Sequence, residues 1–264
     1  MPTPLEILLD PVSLIILAGY AVLIIVEAVA PAKRLPRIPY WRLMGLTSFA
    51  VYFYLSSYLP LIWDRYLEPY QFADMTVLGT WGGGLVGVLL YEFGVYVWHR
   101  SMHANDILWR GFHQMHHSAE RVDTYGAFWF SPMDMIGWTV LGSLCLVLIV
   151  GITPQATTVF LLATTFLGVF QHTNIRTPRW LGYFVQRPES HSVHHQRGLH
   201  YYNFSDLPVF DLIFGTFRNP EYGADENGFY VGASARVPEM LMFRDVSEPR
   251  AEQANRSEAA VSES

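Results

Sequence analysis

The run VLGTWGGGLVGVLLYEFGVYVW, residues 77–98, passes without a break into HRSMH, residues 99–103. A hydrocarbon core of about 30 Å is crossed by roughly 20 mainly apolar helical residues, and this run meets that length with Glu92 as its one charged side chain. It reads as a membrane helix that carries histidine out of the bilayer at its C-terminal end. Working outward, residues 11–30, 43–63, 133–151 and 155–172 are apolar runs of similar length, so the expected fold is all-α, a polytopic bundle of about five apolar helices with a histidine-rich helical cap. Only Gly151, Ile152, Thr153 and Pro154 separate the last two runs, a link that predicts an antiparallel helical hairpin. Gly79, Gly83 and Gly87 recur every fourth residue, a spacing that suits plain close packing of a neighbouring helix.

Across the 264 residues, 51% are hydrophobic and 15% charged, against roughly 25% charged in a soluble domain. Collagen-like repeats, coiled coils and general disorder each need a bias toward glycine, heptads or charge that is missing. A net charge of -6 and a single lysine, Lys33, argue against a nucleic-acid partner. Cys145 is the only cysteine, so neither an intrachain disulfide nor a thiolate metal site can be built. Glu6 and Asp10 precede the first run and Pro31 follows it, which argues for a retained helix and against signal cleavage. Residues 1–245 are expected to form one membrane domain. Residues 246–264, without aromatics and rich in Glu, Ser and Ala, are expected to be a disordered polar tail.

Lys33, Arg34, Arg37 and Arg42 follow the first run, whereas Asp64, Arg65, Glu68 and Asp74 follow the second. The positive-inside rule then places the N-terminus outside and the first loop in the cytoplasm. Carried through five crossings, this orientation brings all ten histidines to the cytoplasmic face. The expected location is a bacterial inner or plasma membrane.

None of the histidines precedes residue 99. His99 and His103 are four apart and share a helix face. His113, His116 and His117 in HQMHH, and His191, His194 and His195 in HSVHH, repeat a spacing in which the first residue shares a face with the other two. A lone buried histidine is usually a hydrogen-bonded core residue; three convergent sets at one membrane face are poorly explained that way. A catalytic zinc takes three protein ligands, so this many imidazoles suggest two metals. Imidazole suits iron, copper, zinc and nickel, and ligand type leaves two irons and two zincs equally open.

HRSMH, HQMHH and HSVHH, in this order, resemble the fatty acid hydroxylase and sterol desaturase superfamily of membrane di-iron oxygenases. Glu92, Phe93, Tyr96 and Trp98 before the first box, Ser118 after the second, His172 with Asn174, and Asn203, Asp211 and Phe214 to Phe217 after the third agree with it. The likeness covers residues 85–220. It implies that His99, His103, His113, His116, His117, His191, His194 and His195 ligate two iron ions, with His172 as a further ligand. It also implies dioxygen and a lipid as co-substrates in hydroxylation or desaturation of an unactivated C–H bond. Where many members carry a His-Pro-Leu-Glu-like segment, this chain has Ser131, Pro132, Met133 and Asp134, so no particular substrate carries over.

Several residues stay open at this level. His200 reads as a ligand, a partner that orients a ligand, or a surface residue. Glu92 lies on nearly the face of His99 and reads as a support for the site or as a helix–helix hydrogen bond to a side chain such as Thr139. Glu189 and Asp123 are candidates to offset metal charge, and Asn203 to support the third box. Arg100 is expected to pair with a carboxylate or phosphate. With no haem or flavin module and no G-x-G-x-x-G run, electrons are expected from a separate carrier such as a ferredoxin-like protein. The rival readings are a membrane zinc hydrolase, which needs a base beside a metal-bound water, and a metal-binding or transport protein, whose ion sites lie near the bilayer midplane.

Overall fold

A computed structural model describes residues 1–250, and residues 251–264 lie outside the described part. Helix α1 (Pro4–Leu9) is closed by a capping box between Thr3 and Glu6, and Asp10 caps α2 (Pro11–Val29) through the Val12 N–H. Then come α3 (Trp41–Leu67) and α4 (Gly79–Ala104), which ends on the first histidine box. A short α5 (Asp106–Leu108), a π-helical turn (Trp109–His113) and α6 (Gln114–His117) carry the second box. After α7 (Pro132–Ser143) and a π-helical turn (Leu144–Ile149) come α8 (Pro154–Phe170), α9 (Pro188–His194), α10 (Val209–Phe214) and α11 (Val237–Leu241). The only paired strands among the described residues are β1 (Ala73–Asp74) and β2 (Val150–Gly151), parallel and two residues each.

Pro11–Val29, Trp41–Tyr70, Thr76–Ala104 and Pro132–Ile149 are long and apolar enough to cross a membrane, and Pro154–Phe170 is a shorter apolar helix of 17 residues. At about 1.5 Å per residue the last reaches about 26 Å, just under the hydrocarbon thickness. It stops two residues earlier than its apolar run suggests, and Gln171 and His172 fall in the turn beyond it.

Helix α2 shows why this bundle belongs in lipid. Its buried residues are Ser13, Tyr20 and Glu27, seven apart and so on one stripe, while Leu14, Ile15, Val22 and Ile25 are exposed. In water each of those side chains would forgo about 1.5–3 kcal/mol of burial; in hydrocarbon they are already solvated. The polar stripe is satisfied internally: Tyr20 donates to the Thr124 carbonyl at 3.0 Å, and Glu27 accepts from the Thr124 and Asn174 N–H groups. This is a membrane protein by composition and by the way its helices face.

The expected hairpin forms as a connection, with Thr153 capping α8, yet its two helices make little direct contact. Helix α8 packs on α4 and α2, and α7 packs on α3. Close approach on α4 comes from glycine: a Cβ on Gly83 would sit 3.0 Å from Ala156, and one on Gly84 2.9 Å from Val159. Gly79, the first of the repeating glycines, instead starts the helix at φ +62° with open space around it.

The segment expected to open a disordered tail begins packed. Val246 is fully buried beside Trp41, Met115 and Met240, its N–H donates to Gln114, and Arg236 donates to the Glu248 carbonyl. The remainder of that tail, residues 251–264, is outside the described residues.

Glycine packing yields a paired prediction. A Cβ at Gly45 would lie 2.1 Å from the Tyr125 carbonyl oxygen, whereas one at Gly142 meets nothing within 4 Å. Gly45→Ala is expected to cost about 1–3 kcal/mol through overpacking. Gly142→Ala is expected to be neutral or to stabilise by up to about 1 kcal/mol through helix propensity. Thermal unfolding of the two variants in detergent checks the contrast.

Candidate metal centre

Nine of the ten histidines gather at one end of the bundle in two groups. His99, His103, His113, His117 and His194 form one, and His116, His172, His191 and His195 the other, with ligand atoms within 4.8 Å of one another in each. His99 and His103 come from the last turns of α4, His113 from the π-helical turn, His116 and His117 from α6, His172 from the turn after α8, and the rest from α9 and its C-cap.

The first box stays whole in one group, and the second and third divide in the same way. The residues four apart stay together, while His116 joins the group of the third box and His194 joins the group of the first two. On a helix of 3.6 residues per turn, neighbouring positions point about 100° apart, so adjacent histidines serve adjacent groups. The groups are themselves in contact, with the His117 and His195 rings stacked at 4.1 Å. His200 belongs to neither. Its ring lies 5.1 Å from His117 and packs on Trp109 and Phe229, which makes it a neighbour of the centre and not part of it.

Hydrogen bonds set the chemistry of the rings. His99 Nδ1 lies 2.7 Å from the Phe204 carbonyl, His172 Nδ1 2.6 Å from that of Gly168, and His194 Nδ1 2.6 Å from that of Tyr202. A carbonyl only accepts, so each Nδ1 donates, and in a neutral ring Nε2 is left with a bare lone pair. His113 Nδ1 is bound in the same sense by Asp134 at 2.9 Å. Burial, reinforced by neighbouring imidazoles, holds His113, His116, His117, His191, His194 and His195 well below the usual imidazole range. Burial likewise brings His172 down to about 4 against the opposing effect of the Gly168 carbonyl. These rings are neutral at pH 7.

The Nε2 atoms face one another. His113 Nε2 is 2.9 Å from His99 Nε2, His194 Nε2 3.1 Å from His117 Nε2, and His172 Nε2 3.0 Å from His116 Nε2 and 2.9 Å from His191 Nε2. For His99 with His113, both protons sit on the far nitrogens, so no hydrogen bond can form between the rings and two lone pairs oppose each other. A cation between them turns that repulsion into ligation. Both groups therefore suit metal ions bound through nitrogen.

Asp134 is the residue that reading the sequence passed over. It stands in the segment that departs from the superfamily pattern, where the Ser131 hydroxyl accepts from its N–H and Pro132 opens α7. Ser-Pro-x-Asp is a recognisable helix start, but its tie to His113 appears only in three dimensions. The two acids expected to offset metal charge do other work. Asp123 binds Trp41, Arg121 and the Gly126 N–H, and Glu189 binds Thr177 and Arg187. Both stand outside the histidine groups because those contacts hold them elsewhere. Arg100 donates to the Tyr96 hydroxyl at 2.7 Å, and among the described residues it forms no ion pair with a carboxylate.

Glu92 does not bond to Thr139, whose hydroxyl donates to the Met135 carbonyl of its own helix. One Glu92 oxygen accepts from the Asp206 and Leu207 N–H groups at 2.9 and 3.1 Å, anchoring the loop whose Phe204 carbonyl holds His99. Asn203, at φ 60°, donates to the Ser190 carbonyl and accepts from the Arg218 N–H. It ties that loop to α9.

Comparison with known proteins bears on this arrangement. No solved structure matches the chain. Among curated proteins it is similar to an ornithine lipid hydroxylase of Rhizobium tropici, 33% identical over 144 residues, covering 52% of this chain and 42% of that protein. It is similar to sphinganine C4-monooxygenase 1 of Arabidopsis thaliana, 29% identical over 158 residues, covering 58% of this chain and 56% of that protein. Human alkylglycerol monooxygenase is 30% identical over 191 residues, 70% of this chain and 38% of that protein. The chain thus spans about half the length of the curated relatives it matches, or less. The family model described as fatty acid hydroxylase matches residues 84–216, half of the 264 residues and the stretch from α4 through the loop after α10, so the chain belongs to the fatty acid hydroxylase family.

Proposed function

We propose that this protein is a membrane di-iron oxygenase that hydroxylates a lipid at an unactivated C–H bond, with two electrons delivered by a separate one-electron carrier protein. The balance is C–H plus dioxygen, two electrons and two protons, giving C–OH and water. The observation that carries the reading is the pair of buried groups of neutral imidazoles with opposed Nε2 atoms. The relatives support a lipid as substrate, since their names place ornithine lipid, sphinganine and alkylglycerol under oxygen chemistry.

Under this reading the first group holds one iron and the second group the other. Five nitrogens exceed a tetrahedral zinc site. The Nε2 atoms of the close pairs, 2.9 to 3.1 Å apart, would hold a cation in each group. Bound iron would supply reductive activation of dioxygen. The residues of the chain present neutral nitrogens, fix ring orientation through the Phe204, Gly168 and Tyr202 carbonyls and Asp134, and keep water away by burial. A zinc hydrolase is not favoured, because neither nitrogen group contains a carboxylate that could serve as base. A transporter is not favoured either, because the groups stand at the end of the bundle.

The charges of the loops support a cytoplasmic face for the histidines and an external N-terminus, in a bacterial inner membrane. Reporter fusions after Ala73 and after Ser247 should then report opposite sides.

Three further measurements bear on the reading. His117→Ala and His195→Ala each remove a ligand from a different group, and each is expected to lower bound iron from about two to about one per chain, while His200→Ala leaves it unchanged. Asp134→Ala, which strips the acceptor from His113 Nδ1, is expected to weaken metal affinity about 10- to 100-fold. Isotopically labelled dioxygen tests the reaction itself: label in the lipid product is expected, and turnover without dioxygen would discard the proposal.

A further inference from the structure

A cavity of about 840 Å³ runs inside the bundle between the α2–α8 pair and the α3–α7 pair. Phe49 and Asp64 both line it from α3, which at about 1.5 Å per residue spans about 22 Å along the axis. Its volume lies in the range of about 300–1,000 Å³ that holds small-molecule ligands.

The two ends differ in exposure and in chemistry. At the end away from the histidines the lining residues Asp10, Glu68 and Gln71 are exposed, so the cavity is open there. At the other end Phe49, Phe128 and Trp138 are buried, so it is closed. The closed end is also where the histidines are. The Trp138 ring lies 5.9 Å from that of His99 and 6.2 Å from that of His113.

The walls decide which way a lipid lies. Asp10, Asp64 and Glu68 line the open half, and no lysine or arginine lines any part. The hydroxyls of Ser57 and Thr164 donate to backbone carbonyls of their own helices, Phe53 at 2.7 Å and Phe160 at 2.9 Å, so they offer the cavity lone pairs. A chain end placed among the carboxylates would strip water from them without compensation, and an anionic head there would meet like charge. A hydrogen-bond-donating head fits that half, and an aromatic floor suits the chain end.

Resting on the oxygenase reading, we propose that the substrate is a long-chain amphiphile with a donating, non-anionic head such as an amine, and that it enters chain-first from the face opposite the histidines. Its head stays near Asp64 and Glu68. The carbon presented to the metal centre is therefore remote from the head, and the aromatic floor at Trp138 sets its position.

A test reads binding without turnover, so its failure is separate from failure of the oxygenase reading. The purified full chain is photolabelled with a saturated long-chain primary amine bearing a diazirine either at the last carbon or next to the nitrogen. The terminal probe is expected to label Tyr52, Phe128 or Trp138, and the head-proximal probe the segment from Ser57 to Glu68. Gly142 lines the cavity with no neighbour within 4 Å of an added Cβ. Gly142→Phe is expected to cut both labels at least tenfold with iron content unchanged, and Ser57→Leu, narrowing the wall from α3, is expected to do the same should the first variant not fold. The matching fatty acid should compete at least tenfold more weakly than the unlabelled amine. Reversed labelling, labelling that ignores both variants, absence of labelling, or equal competition by the fatty acid would overturn the proposal.

Discussion

Opposed lone pairs on buried imidazoles constrain everything else at the histidine end of this bundle. A bare nitrogen about 3 Å from another is repelled by it, and burial lowers the effective dielectric that would weaken the repulsion. Four of the rings are fixed from behind. His99, His172 and His194 donate to backbone carbonyls and His113 to Asp134. Protonating the rings would remove the lone pairs, but burial and the neighbouring imidazoles oppose it. The fold thus leaves a cation as the group that satisfies these nitrogens.

Holding carbonyls in register is the task of the loop that follows the third box. Asp211 accepts from the Phe204 and Ser205 N–H groups and from the Thr216 hydroxyl, Glu92 accepts from Asp206 and Leu207, and Asn203 bridges Ser190 and Arg218. These are ties to charged or amide groups, worth about 1.5–3 kcal/mol each when a charge takes part. Their common effect is geometric: the Tyr202 and Phe204 carbonyls are aimed at His194 and His99. Glu92 acts on the centre through this loop, touching no histidine.

Much of this arrangement is legible in the sequence. The apolar runs and their faces follow from hydropathy, and the i, i+4 pairs His99–His103, His113–His117 and His191–His195 follow from helix periodicity, because both depend on local spacing alone. A single convergent set holds for the first box and is too simple for the second and third. His116 and His194 leave their own boxes because a helix turns by about 100° per residue, and a second group waits on that side. Asp134 and Glu92 show the other limit. Ser131 and Pro132 mark a helix start in sequence, but the partner of Asp134 lies 21 residues away at His113, and the partners of Glu92 lie 114 and 115 residues away. No local pattern encodes such distances. His200 failed to join for a similar reason, since packing on Trp109 and Phe229 fixes its ring beside the groups.

The helices that carry the centre also explain why a cavity can exist beside it. The groups that orient the histidines, three backbone carbonyls and Asp134, all stand at one end, so the middle of the bundle is free of that task. Glycines draw α4 tightly onto α8, which concentrates packing on one side and leaves α2–α8 and α3–α7 apart on the other. The floor between cavity and centre is aromatic: Tyr52 packs on Phe130, Phe130 on His116, and Trp138 on His99. An apolar layer of this kind disfavours the passage of water from the open half to the nitrogens, while an apolar chain end is compatible with it. A chain that fills the cavity down to that layer displaces the same water, so occupying the site and drying it become one event.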